Sequence, residues 1–209
     1  MLINQYFKKI LLANFIFLTS ANGQIKDEEK LCISFQTGNI ISSNINEIKN
    51  NRDAQIILDN ILNTIGVSKN FILAPCEKIN NVIATAYKGS RYILYDRKFI
   101  NEINAETNNW SSLFILAHEV GHHINGHSLD ILLYSSKKID PPTLKKKRKQ
   151  ELESDKFAAF VLSKMGANLK DLKEIINLVA TDEDDSYSSH PNKSSRLSAI
   201  EEGFKNAKL

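Results

Sequence analysis

Apolar residues recur along this chain with two periods, and each change of period marks a change of element. From Ile45 to Ile65, the positions Ile48, Ile57, Leu58, Ile61, Leu62 and Ile65 follow helical spacing, with Gly66 as the stop. FILA (Phe71–Ala74) then reads as a short strand, and NVIATAYKGSRYILYD as a hairpin of Val82–Tyr87 and Arg91–Asp96 turned at Gly89. Helical spacing returns with Leu113, Leu116, Ala117, Val120 and Ile124, a stripe that Ser111 or Ser112 caps and that runs to about Asn125. Residues 134–150 are basic and contain proline, so they predict a loop running into the next helix, which carries Leu152, Phe157, Phe160 and Val161 and ends at Gly166. Asn168 caps a further helix with Leu172, Ile175, Ile176 and Val179 on one face, and a last short helix starts near Ser195 after an acidic loop. The pattern holds no internal repeat. It predicts an α+β fold, mostly helical, with a short antiparallel hairpin or sheet.

The first residues follow a different logic. Lys8 and Lys9 precede the apolar run ILLANFIFL (Ile10–Leu18) and the small polar residues TSANG, the layout of an export signal. Cleavage after Ala21 or Gly23 leaves small residues at the recognised positions, and Gly23 is favoured, giving a signal peptide over 1–23 and one domain over 24–209. A nine-residue run falls short of the ~20 that a spanning helix needs. A lipid-anchored form requires a cysteine directly after the run, and Cys32 lies too far on. Export to a periplasmic or extracellular space changes the meaning of Cys32 and Cys76, the only two cysteines: an oxidising compartment favours joining them, two buried free thiols being the alternative.

The composition narrows the function classes. A chain of 209 residues with 42% hydrophobic and 24% charged residues builds a core and is neither disordered nor fibrous. A net charge of +3 is too small to imply nucleic acid. The run KKKRK is read as the solvated start of a helix, which also suits peripheral contact with acidic phospholipid or acidic substrates. DEDD in the late loop lacks the spacing and glycine of a calcium-binding loop. Trp110, just ahead of the helix of the Leu113 stripe, is read as a packing residue.

Four of the five histidines fall within AHEVGHHINGH (Ala117–His127). His118 and His122 are four apart on a helix, so their imidazoles leave one face a turn apart, and with Glu119 they form H-E-x-x-H. In that arrangement two histidines hold zinc and the glutamate works on its bound water. Gly121 is read as leaving room beside the metal, while His123 and His127 are assigned to the surface or to supporting positions. Metzincin spacing requires glycine at 125 and histidine at 128, where Asn125 and Ser128 stand, so the third ligand comes from elsewhere. ELESDKFAAF offers Glu151 and Asp155, four apart on one helix face: a carboxylate there can complete a His/His/Glu set, and Asp155 can accept a hydrogen bond from a ligand imidazole, the alternative being that Glu151 pairs with the KKKRK run before it. Glu153 is the rival ligand, pointing away from that face and with no supporting partner.

H-E-x-x-H followed by E-x-x-x-D on a later helix resembles the zinc metallopeptidase family that includes the CAAX prenyl proteases and the HtpX-like and BepA-like bacterial proteases. The resemblance covers about Val82 to Ala207 and includes the hairpin, LAHEVGHHINGH, ELESDKFAAFVLSKMGA and SHPNKSSRLSAIEEG, with its His190, Pro191 and Arg196. It implies one zinc per chain on His118, His122 and Glu151, Glu119 as catalytic base, and Asp155 behind a ligand. His190 is then expected either to donate to the oxyanion, with Arg196 holding its loop, or to take the fourth zinc position in a latent site. The expected activity is that of an exported zinc endopeptidase acting on peptides or unfolded envelope proteins. The substrate adds as a strand to Arg91–Asp96 or Val82–Tyr87. The alternative is an envelope assembly or chaperone-like factor with a largely latent zinc site. Departing from the family's integral-membrane members, the chain has no spanning segment.

Overall fold

A computed structural model describes residues 31, 32, 35, 51–137, 140 and 142–209. The expected signal peptide and the start of the first predicted helix, before residue 51, lie outside the described residues. Among those residues, α1 (Asn51–Thr64) leads into β1 (Ile72–Pro75), β2 (Val82–Tyr87) and β3 (Ser90–Tyr95). Helices follow: α2 (Arg97–Glu106), α3 (Asn109–Ile124), α4 (His127–Ser135), α5 (Leu144–Lys164), α6 (Leu169–Val179) and α7 (Lys193–Asn206). The α+β, mostly helical class is as the pattern predicts.

The sheet is not purely antiparallel. β2 and β3 form the expected hairpin in the register Val82↔Tyr95 to Tyr87↔Ser90. Its two-residue turn places both Lys88 and Gly89 at positive φ (47° and 81°), the primed geometry that suits strand twist. β1, however, pairs parallel with β3, Ile72 opposite Tyr92, so the order is β1-β3-β2 and the sheet is mixed. β3 is therefore central, with both of its edges taken. Substrate addition to Arg91–Asp96 is ruled out for that reason, and β2 keeps the free edge on the side of α3.

Two helices appear where only connections were expected. Asp96, read as the end of a strand, is the N-cap of α2 and accepts from the backbone of Lys98 and Phe99. α4 follows α3 after two residues, the second of which, Gly126, is left-handed (φ 79°). The cap of α3 is Asn108, which accepts from the Trp110 backbone, so the helix starts ahead of the two candidate serines, both of which are buried inside it. α5 begins at Leu144 and takes all of KKKRK into its first turns.

The core centres on α3 and α5. Leu116, Ala117 and Val120 of α3 are fully buried with Ala158, Val161 and Leu162 of α5 and Leu172 of α6. Trp110 packs against this core, as expected. A smaller cluster of Leu31, Cys32, Ala74, Cys76, Ile79, Tyr92 and Leu94 lies on the sheet. There Cys32 and Cys76 are joined in a disulfide, their Cα atoms 5.4 Å apart. No helix among the described residues is long and apolar enough to cross a membrane.

Candidate active site

The candidate metal ligands come from the contact of α3 with α5, and that contact depends on a glycine. A Cβ on Gly121 would lie 3.0 Å from the Phe157 side chain and 3.2 Å from the Cα of Ser154. Gly121 therefore lets the two helices approach, and makes room for α5 rather than for a metal. At this spacing, the polar face of α3 with His118 and His122 meets the face of α5 with Glu151 and Asp155.

The donor atoms converge. His118 Nε2 is 3.1 Å from His122 Nε2 and 3.1 Å from Glu151 Oε2, and His122 Nε2 is 3.4 Å from Glu151 Oε1. Among the described residues, His118, His122 and Glu151 form a group suited to holding a metal ion. The opposite ring nitrogens are both occupied: His118 Nδ1 meets Asp155 Oδ1 at 2.8 Å and His122 Nδ1 meets His127 Nδ1 at 3.0 Å. With the protons on the Nδ1 side, two Nε2 lone pairs face one another at van der Waals distance or less, an arrangement that a cation between them relieves. Two imidazole nitrogens on a tetrahedral zinc, each at about 2.0–2.1 Å, stand about 3.3 Å apart, so the residues fit that ion.

Charge behind the site is arranged in a line. Asp155 is fully buried and takes two bonds from Arg196, Nε to Oδ2 and Nη2 to Oδ1, both 2.8 Å. Burial opposes its charge, but the Arg196 and His118 bonds outweigh burial and hold Asp155 below the usual carboxylate range. Burial also opposes a charge on His118; the bonds to Asp155 and Glu151 outweigh it and push the imidazole up to about 10. Glu151 is held well below its ordinary value by both histidines, against its own burial. The three groups thus favour the Glu151 and Asp155 carboxylates around a positive centre. Glu119 differs from them: burial raises it, and its Oε2 accepts from the Ala84 backbone N–H of β2 at 2.6 Å.

Arg196 was expected to stand behind the ligands with Asp155 and to hold the loop before α7; it does the first, and is spent on Asp155 rather than on the loop. Arg148, from the KKKRK run, holds the loop: its Nη1 donates to the carbonyls of Asp185 and Ser188, each at 2.8 Å. The acidic residues there also serve the loop, Asp182 accepting from the Ser194 backbone and Asp185 from that of Asn192. In this setting His190 Nε2 lies 3.6 Å from Glu151 Oε2, with its side chain 62% exposed. Sequence reasoning expected His190 near the metal group, and it is beside it.

Neither remaining histidine lies on the surface. His123 is buried, donates from Nε2 to the Tyr92 carbonyl at 3.1 Å, accepts from Ser128 Oγ at Nδ1 and stacks on Phe71. Burial pulls its pKa down to about 4. His127 is buried too, and its Nε2 meets Glu153 Oε2 at 3.0 Å. Glu153 therefore has a partner after all, and it stands away from the group of donor atoms. The Ala84 N–H was not legible as a site group, and for His127 the sequence left surface and supporting positions open. His127 is five residues from His122, off its helix face, and only the left-handed turn at Gly126 brings it back.

A cleft of about 990 Å³ opens over these groups. Ile83 and Ala84 of β2 line one side, and Phe114, Ile115, Ile176 and Val179 make an apolar wall beside His118 and Glu119.

Comparison with known proteins agrees with the geometry over part of the chain. The model of peptidase family M48 matches residues 129–203, a stretch that holds Glu151, Asp155, His190 and Arg196 and begins after the H-E-x-x-H motif. No curated protein and no solved structure matches the chain. Over that stretch the chain is similar to peptidase family M48, whose peptidases use zinc, and the His/His/Glu group that α3 and α5 build together is in keeping with that similarity.

Proposed function

We propose that this protein is an exported zinc endopeptidase that hydrolyses peptide bonds in envelope proteins or unfolded chains. The observation that carries it is the convergence of His118, His122 and Glu151 on one point with Glu119 beside them and an open cleft above. His118, His122 and Glu151 hold one zinc per chain. Bound there, zinc supplies a Lewis acid and a water acidified towards neutrality. Glu119, raised by burial, takes the proton of the attacking water and delivers it to the leaving amine. Asp155 fixes the His118 tautomer, and Arg196 keeps Asp155 ionised in its buried position.

The free edge of β2 receives the peptide as an added strand. In the β2–β3 register the Ala84 backbone points away from β3, and its N–H already serves Glu119. The edge and the base are thus held in one frame. The apolar wall of Phe114, Ile115 and Val179 suits a large apolar side chain next to the scissile bond. Export is supported by the disulfide, which persists in an oxidising compartment.

Glu119→Gln tests the reading directly. The variant keeps about one zinc per chain and loses peptidase turnover on unfolded substrates, while His118→Ala, His122→Ala and Glu151→Ala each lose the metal. Metal analysis and a casein-type digestion assay read both outcomes. Wild-type turnover in Glu119→Gln ends the proposal.

The placement of His190 favours a second reading, a latent site in an envelope assembly factor. From 3.6 Å off Glu151, the imidazole could serve as a further ligand to a metal held there or donate to an oxyanion. His190→Ala separates the roles, since activity rises if the ring blocks the site and falls if it donates to the oxyanion.

A further inference from the structure

His127 is neither a metal ligand nor the base, yet it is buried with both ring nitrogens engaged. Its Nδ1 lies 3.0 Å from His122 Nδ1 and its Nε2 lies 3.0 Å from Glu153 Oε2. The two rings meet edge to face, their centroids 5.0 Å apart. Hydrogen-bond chemistry allows one assignment when His122 Nε2 holds a metal. The proton of His122 is then on Nδ1 and donates to His127 Nδ1, which must be bare. His127 in turn carries its proton on Nε2 and donates it to the Glu153 carboxylate. Every donor in this chain meets an acceptor.

We propose that His127 and Glu153 are the positioning residues of His122, the counterpart of Asp155 and Arg196 behind His118. This rests on the zinc reading above. A ligand imidazole whose second nitrogen is hydrogen-bonded is fixed in rotation and in tautomer, which sharpens the aim of its lone pair. The two supports differ in kind. His118 leans on a fully buried carboxylate clamped by an arginine, whereas His122 leans on a neutral imidazole whose far end reaches a half-exposed glutamate. The carboxylate behind His122 is thus one ring removed from the ligand, and it stands at the surface, where Lys149 lies 3.5 Å away. The left-handed turn at Gly126 is the feature of the fold that makes this possible, since it folds His127 back over the ring that precedes it by five positions.

The test compares His127→Leu, which removes the acceptor, with His127→Asn, whose amide oxygen can stand near the place of Nδ1. Zinc affinity is measured by chelator competition on the mature protein. The visible spectrum of the cobalt-substituted form reports ligand geometry, and melting of the metal-free protein reports packing. His127→Leu is expected to bind zinc about 10–100-fold more weakly and to shift the cobalt bands. His127→Asn recovers most of the affinity at a similar metal-free melting temperature. Unchanged affinity in His127→Leu overturns the proposal, and so does an equal loss in both variants, which would make the effect one of packing. Wild-type protein binding zinc no better than His118→Ala overturns the zinc centre itself, and the positioning chain with it.

Discussion

His123 shows how far apart adjacent residues of one motif can stand in their chemistry. His122 faces the cleft, whereas His123, the next residue, is turned into the contact between α3, α4 and β3 and kept neutral by burial. In the unfolded chain this imidazole takes up a proton near pH 6.5, and in the folded one only near pH 4. Between those values the unfolded state holds more protons, so stability is full above pH 6.5 and falls as the pH drops towards 4. A shift of that size corresponds to about 3 kcal/mol, fully lost only near the lower value. Denaturant unfolding of metal-free protein at pH 7, 6, 5 and 4 should show this decline. His123→Gln, which retains a donor and an acceptor but cannot titrate, should flatten it. An identical slope in the variant would assign the decline to other groups.

At the scale of elements, the site is a matter of two helix seams, each closed at a glycine. Gly121 sits where α3 meets Ser154 and Phe157 of α5. Gly203 of α7 lies so close to α5 that a Cβ there would stand 2.1 Å from the Lys156 carbonyl oxygen. Backbone on the far side leaves no flexible group to give way, so alanine must separate the helices. Gly121→Ala should cost about 1–3 kcal/mol, the usual range for overpacking, and Gly203→Ala more. Zinc affinity should fall with Gly121→Ala, because the push falls on the α5 turn between Glu151 and Asp155. Gly203→Ala acts less directly, by carrying Arg196 away from Asp155. Urea midpoints and zinc titration of the two variants check this, and Gly203→Ala at wild-type stability would deny the close contact of α5 and α7.

For the molecule as a whole, the metal group and the disulfide belong to different cores. Cys32–Cys76 closes a loop with a sequence separation of 44 in the small cluster on the sheet. His118, His122 and Glu151 instead rest on the α3–α5 seam. Removing a cross-link over a loop of that length frees the unfolded chain by about 4 kcal/mol in the chain-entropy account. Reduction, or Cys32→Ala with Cys76→Ala, should therefore lower the melting temperature while the protein that stays folded keeps its zinc. Loss of zinc in step with the disulfide, at a temperature well below melting, would show that the two cores are coupled.

The sequence alone determined the chemistry that depends on spacing within one helix. His118 with His122 and Glu151 with Asp155 are each four apart, and helix geometry puts each pair on one face wherever the helix lies. The helical stripes and the hairpin were legible for the same reason, since their signals are local and periodic. The two short helices were less so: α2 hid its cap in the last residue of a strand, and α4 has no side-chain cap at all. What only the tertiary structure decided is everything fixed by contact between distant segments. The parallel pairing of β1 with β3 chose the free edge, the left-handed turn at Gly126 returned His127 to His122, and Arg196 went to Asp155 while Arg148 took the loop. Partners of that kind are selected by which groups would otherwise be buried unpaired, and such a choice exists only once the chain has folded.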